Sequence, residues 1–489
     1  MFSTRQYINI VMLLRVIGWL LLIEAVFMSI PMIAAFIFKE DSFQAFLIGL
    51  GICAGAGLML MSLKPASREM RRREAMMLTA LVWVVFSIFG MVPYLAGGVH
   101  FSVTDAFFDT MSSFTTTGLS SLSTIDTLPH SFILWRCVMQ WIGGMGIILF
   151  TLAVLPMLNY QGGMQMFNAE VTGITHDKLR PRVSSTAKAL WLIYISLTVL
   201  LTVLLRLADM PIFDAVCYGL STMSTGGFAT TDAGIQSFNS LSIKIIFCVF
   251  MLLGSVNFSL IFQAVRGNFS VIKGNTVLRW FLLLIVISTA IMSFSIWQQG
   301  LAENVEDVTI DPLFQAISVI SSTGLVEPDF FTWGAPVLCI LVVLMFVGGC
   351  AGSTSGGAKI DRIVICFKNI RNEFFRIMHP NAVLTVRINK LGTSEVVVQK
   401  AIVFLILYVL VILFAGVILL LLGIPIEQAF INALECISNT GLGVCLDGTT
   451  SDLSSFPAAA KWLLSFVMLV GRLELYTVLI IFTSTFWRR

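Results

Sequence analysis

The sequence predicts an all-α polytopic membrane protein assembled from four copies of one unit. Each unit is a span, a half-length helix, a polar loop and a second span, and two further spans precede the first unit. Two observations place the chain in a membrane. Of 489 residues, 57% are hydrophobic and 12% charged, against about 25% charged in a soluble domain. Apolar runs of roughly 20 residues, the length that crosses a hydrocarbon core, recur from end to end. A third observation sets the fold: a strip of small residues containing Thr-Gly occurs four times, at 114–120, 223–229, 321–327 and 438–444.

The apolar runs give ten spans, at about 11–37, 44–63, 76–96, 132–157, 186–208, 240–265, 276–298, 334–365 (interrupted), 401–422 and 459–485. The first is too long for a signal peptide and lacks an A-x-A cleavage site, so it is a retained span. The segments 64–74, 159–188, 266–279 and 359–400 and the two ends hold 23 of the 30 Lys and Arg, and the opposite loops hold 18 of the 27 Asp and Glu. Cytoplasmic segments carry the basic excess, which puts both termini inside and the acidic loops outside. Nine cysteines without a C-x-x-C pair argue against a disulfide framework or a zinc site. Four histidines without H-E-x-x-H, and no nucleophile elbow, give no sign of an enzyme.

All four Thr-Gly strips fall in outer connections, each after a segment too short to cross: 104–114, 212–222, 310–320 and 426–437. These open on helix-start residues: Thr104–Asp105, Phe213–Asp214, Asp311–Pro312, and Pro425 before Glu427. The domain plan is therefore two leading spans in 1–70, units at 71–160, 161–270, 271–365 and 401–489, and a basic cytoplasmic linker at 366–400. Gly118, Gly226, Gly324 and Gly441 are irregularly spaced, which excludes a strict solenoid and favours a pseudo-fourfold arrangement about an axis.

One Thr-Gly in a loop is an ordinary turn. Four at equivalent positions in a membrane are more, because irregular backbone at that depth must be buried in protein or line a watery cavity. Four such loops meeting at an axis are filter loops, each carried by a pore helix. Their carbonyls, with Thr, Ser and Asn side chains, form rings of oxygen dipoles that replace the hydration shell of an alkali cation. The glycines permit the backbone angles this requires, and helix C-termini aimed at the axis add partial negative charge. Outer acids (Asp105, Asp109, Asp232, Asp311, Glu327, Glu435 and Asp447) are expected to concentrate cations.

The eighth span is interrupted by "GGCAGSTSGGA" at 348–358. Small residues also serve close helix packing, but the density here favours an unwound intramembrane loop below the filter: Gly348, Gly349, Gly352, Ser353, Thr354, Ser355, Gly356 and Gly357. Arg472 lies inside the last span, where an ionisable residue is a functional candidate; Glu474, two residues on, cannot face it on an unbroken helix. Arg472 is expected to set a positive barrier beneath the filter. Arg15 is expected to snorkel, and Glu24 has no assigned role. The basic segment 359–400 suits anionic lipid or a partner docked beside the gate.

These residues resemble a family. The four pore-helix and Thr-Gly units, the two leading spans, "GGCAGSTSGGAKIDRI" (348–363) and "GRLELYT" (471–477) are similar over the whole chain to the Trk-type potassium uptake proteins. These are the TrkH/TrkG membrane subunits, relatives of KtrB and of plant high-affinity transporters. The resemblance implies potassium as the transported ion, with rubidium or sodium as lesser ones, a bacterial inner-membrane location and a homodimer with one pore per subunit. It also implies a cytosolic TrkA-like ring of nucleotide-binding subunits, and no nucleic-acid partner or organic cofactor. The family's filter carries over as Thr116, Thr117 and Gly118; Ser224, Thr225 and Gly226; Ser322, Thr323 and Gly324; and Asn439, Thr440 and Gly441. Stretch 348–358 matches the family's gating loop, and Arg472 its arginine. An ion-coupled symporter, driven by H+ or Na+ and less strict between K+ and Na+, remains the alternative; inverted repeats would have put the loops on both membrane faces.

Overall fold

The computed structural model describes residues 8–65, 70–99, 102–146, 183–238, 240–301, 304–389, 391–443 and 451–487. The inner part of the span expected at 132–157, most of the segment 159–188, Lys390 and Asp447 lie outside the described residues.

Two long helices, α1 (Ile10–Phe38) and α2 (Phe43–Met61), form the leading hairpin. They pack closely because Gly18 faces Gly57: a Cβ on Gly18 would lie 2.8 Å from the Gly57 carbonyl oxygen. Glu24 of α1 is fully buried, its Oε1 3.3 Å from the place of a Cβ on Gly90. The turn after α1 is fixed by Lys39 in the left-handed region and delivers Glu40 to the start of a later helix, α6. After α2 come α3 (Arg72–Gly90), the single turn α4 (Val92–Ala96), the short α5 (Val103–Phe114) and α6 (His130–Gly144).

The same order recurs three times more. First come α7 (Val183–Leu207), short α8 (Ile212–Met223), α9 (Leu241–Ser255), α10 (Phe258–Val265) and α11 (Phe269–Gly274). Next are α12 (Thr276–Gln299), short α13 (Val305–Ile320), α14 (Ala335–Val347) and α15 (Ile360–Met378). Last come α16 (Glu395–Leu421), short α17 (Ile426–Ser438), α18 (Ala458–Arg472), α19 (Tyr476–Leu479) and α20 (Ser484–Trp487). The long helices turn apolar side chains outward, whereas the inner halves of α5, α8, α13 and α17 are buried almost without exception. The core therefore surrounds the four short helices.

The structure revises several expectations. Six described helices are long and apolar enough to cross a membrane, and two more crossings are bent pairs. The pair α9–α10 turns through 107°, and α18 turns through 113° into Tyr476–Phe482. Both were expected as continuous spans. The interrupted span expected at 334–365 is present as α14, a break at 348–359 and the start of α15, and α6 covers the outer part of the span expected at 132–157. Helix α13 starts at Val305, ahead of the expected Asp311–Pro312, because Asn304 and Asp307 form a capping box there. The stretch 366–400 is no simple linker. Helix α15 fills its first part, and strands β1 (Arg387–Ile388) and β2 (Leu391–Gly392) pair antiparallel. The N-F-S tripeptides at 257–259 and 268–270 both stand at helix starts: Asn257 Oδ1 accepts from the Ser259 N–H at 2.8 Å, and Asn268 is the N-cap of α11.

Glu40 ties the first hairpin to α6. Its carboxylate accepts from the His130 and Ser131 N–H groups at 2.7 and 3.1 Å, two otherwise orphaned donors of a helix start, and the Ser42 hydroxyl donates to it at 3.1 Å. Burial raises the Glu40 pKa, but the Ser131 hydroxyl and the amides outweigh it and hold the carboxyl below its usual value. A carboxyl depressed in the folded state stabilises above its unfolded pKa, about 4.3, and loses that contribution as pH falls through the folded pKa. Glu40→Gln is therefore expected to lower the thermal unfolding midpoint in detergent at pH 7 and to make progressively less difference below about pH 4, as a fluorescence melt series across pH would show.

Candidate functional site

Each short helix ends the same way. The N–H groups of Thr116, Thr225, Ser322 and Asn439 donate to the carbonyls of Ser113, Thr222, Val319 and Cys436 at 3.1, 3.0, 3.0 and 3.4 Å. The next N–H groups, of Thr117, Gly226, Thr323 and Thr440, donate to Ser112, Ser221, Ser318 and Glu435 at 2.8, 2.9, 2.9 and 3.0 Å. Thr116, Thr225, Ser322 and Asn439 have φ of 55°, 54°, 57° and 51°, a region that costs a non-glycine residue of order 1–3 kcal/mol, most for the β-branched threonines. Strain repeated at four equivalent points marks a working site rather than an accident.

These bonds correct the register of the second loop. Thr225, Gly226 and Gly227 are the counterparts of Thr116, Thr117 and Gly118, one residue later than the sequence match of Ser224, Thr225 and Gly226. Gly227 (φ 77°), with Gly118 (86°) and Gly324 (74°), holds the left-handed position; Gly441 is not among the positive-φ residues.

The four loops meet in a closed order. A Cβ on Gly118 would strike the Gly226 carbonyl of the second loop, and one on Gly227 the Thr323 carbonyl of the third. One on Gly324 would lie 3.0 Å from the Gly441 carbonyl of the fourth, and one on Gly441 would strike the Thr117 carbonyl of the first. Each tight turn thus lies against a carbonyl of a neighbouring loop. Side chains brace the outgoing limbs. Asp109 accepts from the Ser121 N–H at 2.7 Å, Gln315 from the Glu327 N–H at 3.1 Å, and Asn432 donates to the Ser451 hydroxyl at 3.1 Å.

The outer acids are largely engaged in such structure. Lys244 of α9 pairs with Asp311 and Glu327 at 2.7 and 2.9 Å, and Lys461 of α18 with Asp105 at 2.6 Å. Asp232 accepts from the Ile125 N–H at 2.7 Å, and Asp109 and Glu435 are buried. The acids thus join loops and helices more than they form an open cation-attracting surface.

Beneath the loops, α6, α9, α14 and α18 all break at one level. The fourteenth residue from the start of each is Gly143, Gly254, Gly348 and Gly471. A Cβ on Gly143 would collide with the Phe114 carbonyl, and one on Gly471 with that of Ile437, the equivalent residue. The next residue is Gly144, Ser255, Gly349 or Arg472, so the arginine takes a place that is otherwise small.

The stretch 348–358 lies directly under the loops. The Thr354 hydroxyl donates to the Met223 and Gly254 carbonyls at 3.3 and 3.0 Å. The Gly356 N–H donates to the Ser322 hydroxyl at 3.1 Å, and a Cβ on Gly356 would meet the Ser438 carbonyl. Ser353 and Ser355 share a hydroxyl contact of 2.7 Å, Gly349 is packed on Ser355, and Gly357 on Gly348. The break in α9–α10 holds the other side: the Cys350 N–H donates to Ser255 at 3.0 Å, Asn257 Nδ2 to Ala351 at 2.8 Å, and the Phe258 N–H to Gly352 at 3.0 Å. The Ala351 N–H donates to Asp361 at 2.6 Å.

Arg472 joins this loop to α6. Its Nη1 donates to the Thr354 carbonyl at 2.8 Å and its Nη2 to the Gly143 and Gly144 carbonyls at 2.5 and 2.7 Å. Glu474 pairs instead with Arg362, because φ of 54° and 52° at Glu474 and Leu475 turns the chain after α18. Lys359 and Arg362 are buried, Lys359 donating to the Ser355 carbonyl, so neither belongs to a solvent-facing basic surface.

The structure brings the expected loop and gate residues together and adds Gly227, Asn257, Asp361 and Gln140. Gln140 donates to the Gly226 carbonyl at 2.7 Å and accepts from the Ser221 hydroxyl at 2.8 Å. One signal was present in the sequence: Met251, Met345 and Met468 stand three residues before the helix-breaking glycines, and Gln140 stands in that place before Gly143.

Residues 42–488 match the family model TrkH, "Cation transport protein". Over 482 residues the chain is 36% identical to a Trk system potassium uptake protein TrkH of Halomonas elongata, covering 98% of this chain and 99% of that one. It is 33% identical to TrkG of Escherichia coli K12, covering 96% and 97%. The crystal structure of the potassium transporter TrkH from Vibrio parahaemolyticus superposes with a TM-score of 0.88 at 31% identity, covering 98% of this chain and all of that chain.

Gly471→Ala would press a methyl into the Ile437 carbonyl, and overpacking of this kind costs about 1–3 kcal/mol. It is expected to lower the unfolding midpoint in detergent, while Ala at Gly51, which faces open space, leaves it unchanged.

Proposed function

This chain belongs to the TrkH family of cation transport proteins and is a Trk-type potassium uptake transporter rather than an enzyme, and from that premise we propose how the ion crosses. Potassium passes through one pore on a single chain, at the axis of four units related by a pseudo-fourfold arrangement, with boundaries near 71–160, 161–270, 271–365 and 401–489. The filter is Thr116–Gly118, Thr225–Gly227, Ser322–Gly324 and Asn439–Gly441. The closed order of contacts among these four loops is the single observation that carries the reading. Carbonyl rings of this kind substitute for hydration water, and the short helices aim their C-terminal partial charges at the same place.

The loop 348–358 is the gate, and Arg472 is its fixed cation. Three hydrogen bonds from one guanidinium, to the loop and to α6, favour a closed position and place positive charge where a leaving cation must pass. Asn257 and Asp361 anchor the far side of the same loop. Helix α15 continues directly from the gate, with exposed Phe367, Phe374 and Met378 beside Lys368, Arg371 and Arg376. It is the place from which a TrkA-like nucleotide-binding ring would pull on the loop. A homodimer in the bacterial inner membrane, with both termini cytoplasmic, completes the proposal.

Two measurements test it on purified protein in liposomes. Gly118→Ser is expected to lower the K+ over Na+ preference by roughly tenfold, about 1.4 kcal/mol of differential stabilisation; an unchanged ratio in folded protein overturns the filter assignment. Arg472→Ala is expected to raise cation flux several-fold at equal protein density, because removing a charge from low-dielectric surroundings lowers a barrier for cations. Equal flux would remove Arg472 from the gate.

A further inference from the structure

The second loop lacks a residue that the other three possess. At the position following the strained residue, loops one, three and four carry Thr117, Thr323 and Thr440, and loop two carries Gly226. The threonine side chains make local bonds. Thr117 Oγ1 meets the Thr115 hydroxyl at 2.8 Å and accepts from Asn439 Nδ2 at 3.0 Å. Thr323 Oγ1 meets the Ser321 hydroxyl at 2.7 Å. Glycine offers none of these and leaves the backbone freer, in the one place where a fixed carbonyl is required.

The space is filled from outside the loop. A Cβ on Gly226 would lie 2.5 Å from Gln140 Oε1 and 2.6 Å from its Nε2. Gln140 is fully buried. Its Nε2 donates to the Gly226 carbonyl at 2.7 Å, and its Oε1 accepts from the Ser221 hydroxyl at 2.8 Å and from the Phe228 N–H at 3.4 Å. One side chain on α6 thus holds the loop before, at and after Gly226. At the same position on the other three helices stand Met251, Met345 and Met468, which have no such donor. One helical turn earlier, Arg136 covers the Phe228 ring at 3.9 Å.

We propose that Gln140 is a specificity-determining positioning residue, standing in from a neighbouring helix for the threonine missing at position 226 and fixing the second quarter of the filter. The inference rests on the filter reading given above. Gln140 touches the loop and not the ion; its effect is carried by the Gly226 carbonyl, which lies against Gly118 of the first loop.

The test compares Gln140→Met, Gly226→Thr, the double variant and Gly118→Ser in liposomes, reading the K+ to Na+ flux ratio, with folding checked by size exclusion and thermal melts. Gln140→Met is expected to lower the ratio by up to roughly tenfold, the scale of one buried hydrogen bond, with total flux retained. Gly226→Thr alone is expected to be poorly folded, since its Cβ meets Gln140. The double variant, with Met at 140 and Thr at 226, is expected to recover folding and most of the ratio. A Gln140→Met protein that is folded and keeps the wild-type ratio overturns the inference. If Gln140→Met does not fold, the double variant decides: recovery supports the inference and no recovery overturns it. Gly118→Ser separates the two levels, because a ratio insensitive to it condemns the filter reading itself, whereas sensitivity there with indifference at Gln140 condemns only the present inference.

Discussion

Backbone amides and carbonyls cannot be left unpaired inside hydrocarbon, and that constraint orders the whole molecule. Among the described residues, the irregular segments near the axis are braced by protein groups. The four loops after α5, α8, α13 and α17 are closed by bonds back to their own helices and by contact with one another. The stretch 348–358 is the most irregular backbone below them, and it is held by α9–α10, by α15 and by Arg472. Irregularity survives because each irregular segment is the partner of another.

That mutual dependence explains why glycine appears where it does. At Gly143 and Gly471 the inner helix approaches the end of a short helix so closely that any Cβ would meet a carbonyl. The breaks below these glycines then release carbonyls, and two of them, of Gly143 and Gly144, are taken by a guanidinium. An arginine at that depth is tolerable because it arrives among acceptors already freed from helix. The same geometry lets Arg362 reach Glu474, across 112 residues of chain.

Much of this was legible in the sequence, for physical reasons that also mark its limits. The short helices and polar loops showed themselves because small polar residues stand out against apolar runs. The bends in α9–α10 and α18–α19 did not, because both limbs are apolar and composition is blind to a 107° or 113° turn. The second loop was misaligned by one residue since "STGG" offers two glycines, and only the hydrogen bonds back to Ser221 and Thr222 decide which one corresponds to Gly118. The outer acids looked like a cation-attracting rim because their lysine partners lie 67 to 356 residues away in sequence. The unbroken helix on which Glu474 was separated from Arg472 does not exist, since the chain turns at Glu474 and Leu475, and the ion pair of Glu474 with Arg362 was invisible for the same reason of distance.

Two ion-paired lysines mark the ring's seams unequally. Lys244 joins the second unit to the third, and Lys461 the fourth to the first; the residues equivalent in sequence at the other two seams are Ile133 with Asp214 and Leu338 with Gln428. Ion pairs thus clasp two seams, and hydrogen bonds fasten the first unit to the second: Gln140 to the Gly226 carbonyl and the Ile125 N–H to Asp232. The loop 348–358 leans on the second unit and against the Ser438 carbonyl of the fourth, while Arg472 grips the first unit, so the Arg472–Thr354 bond adds a further tie between the third and fourth units. A fourfold frame with unlike fastenings at its seams is not an iris of four equal leaves.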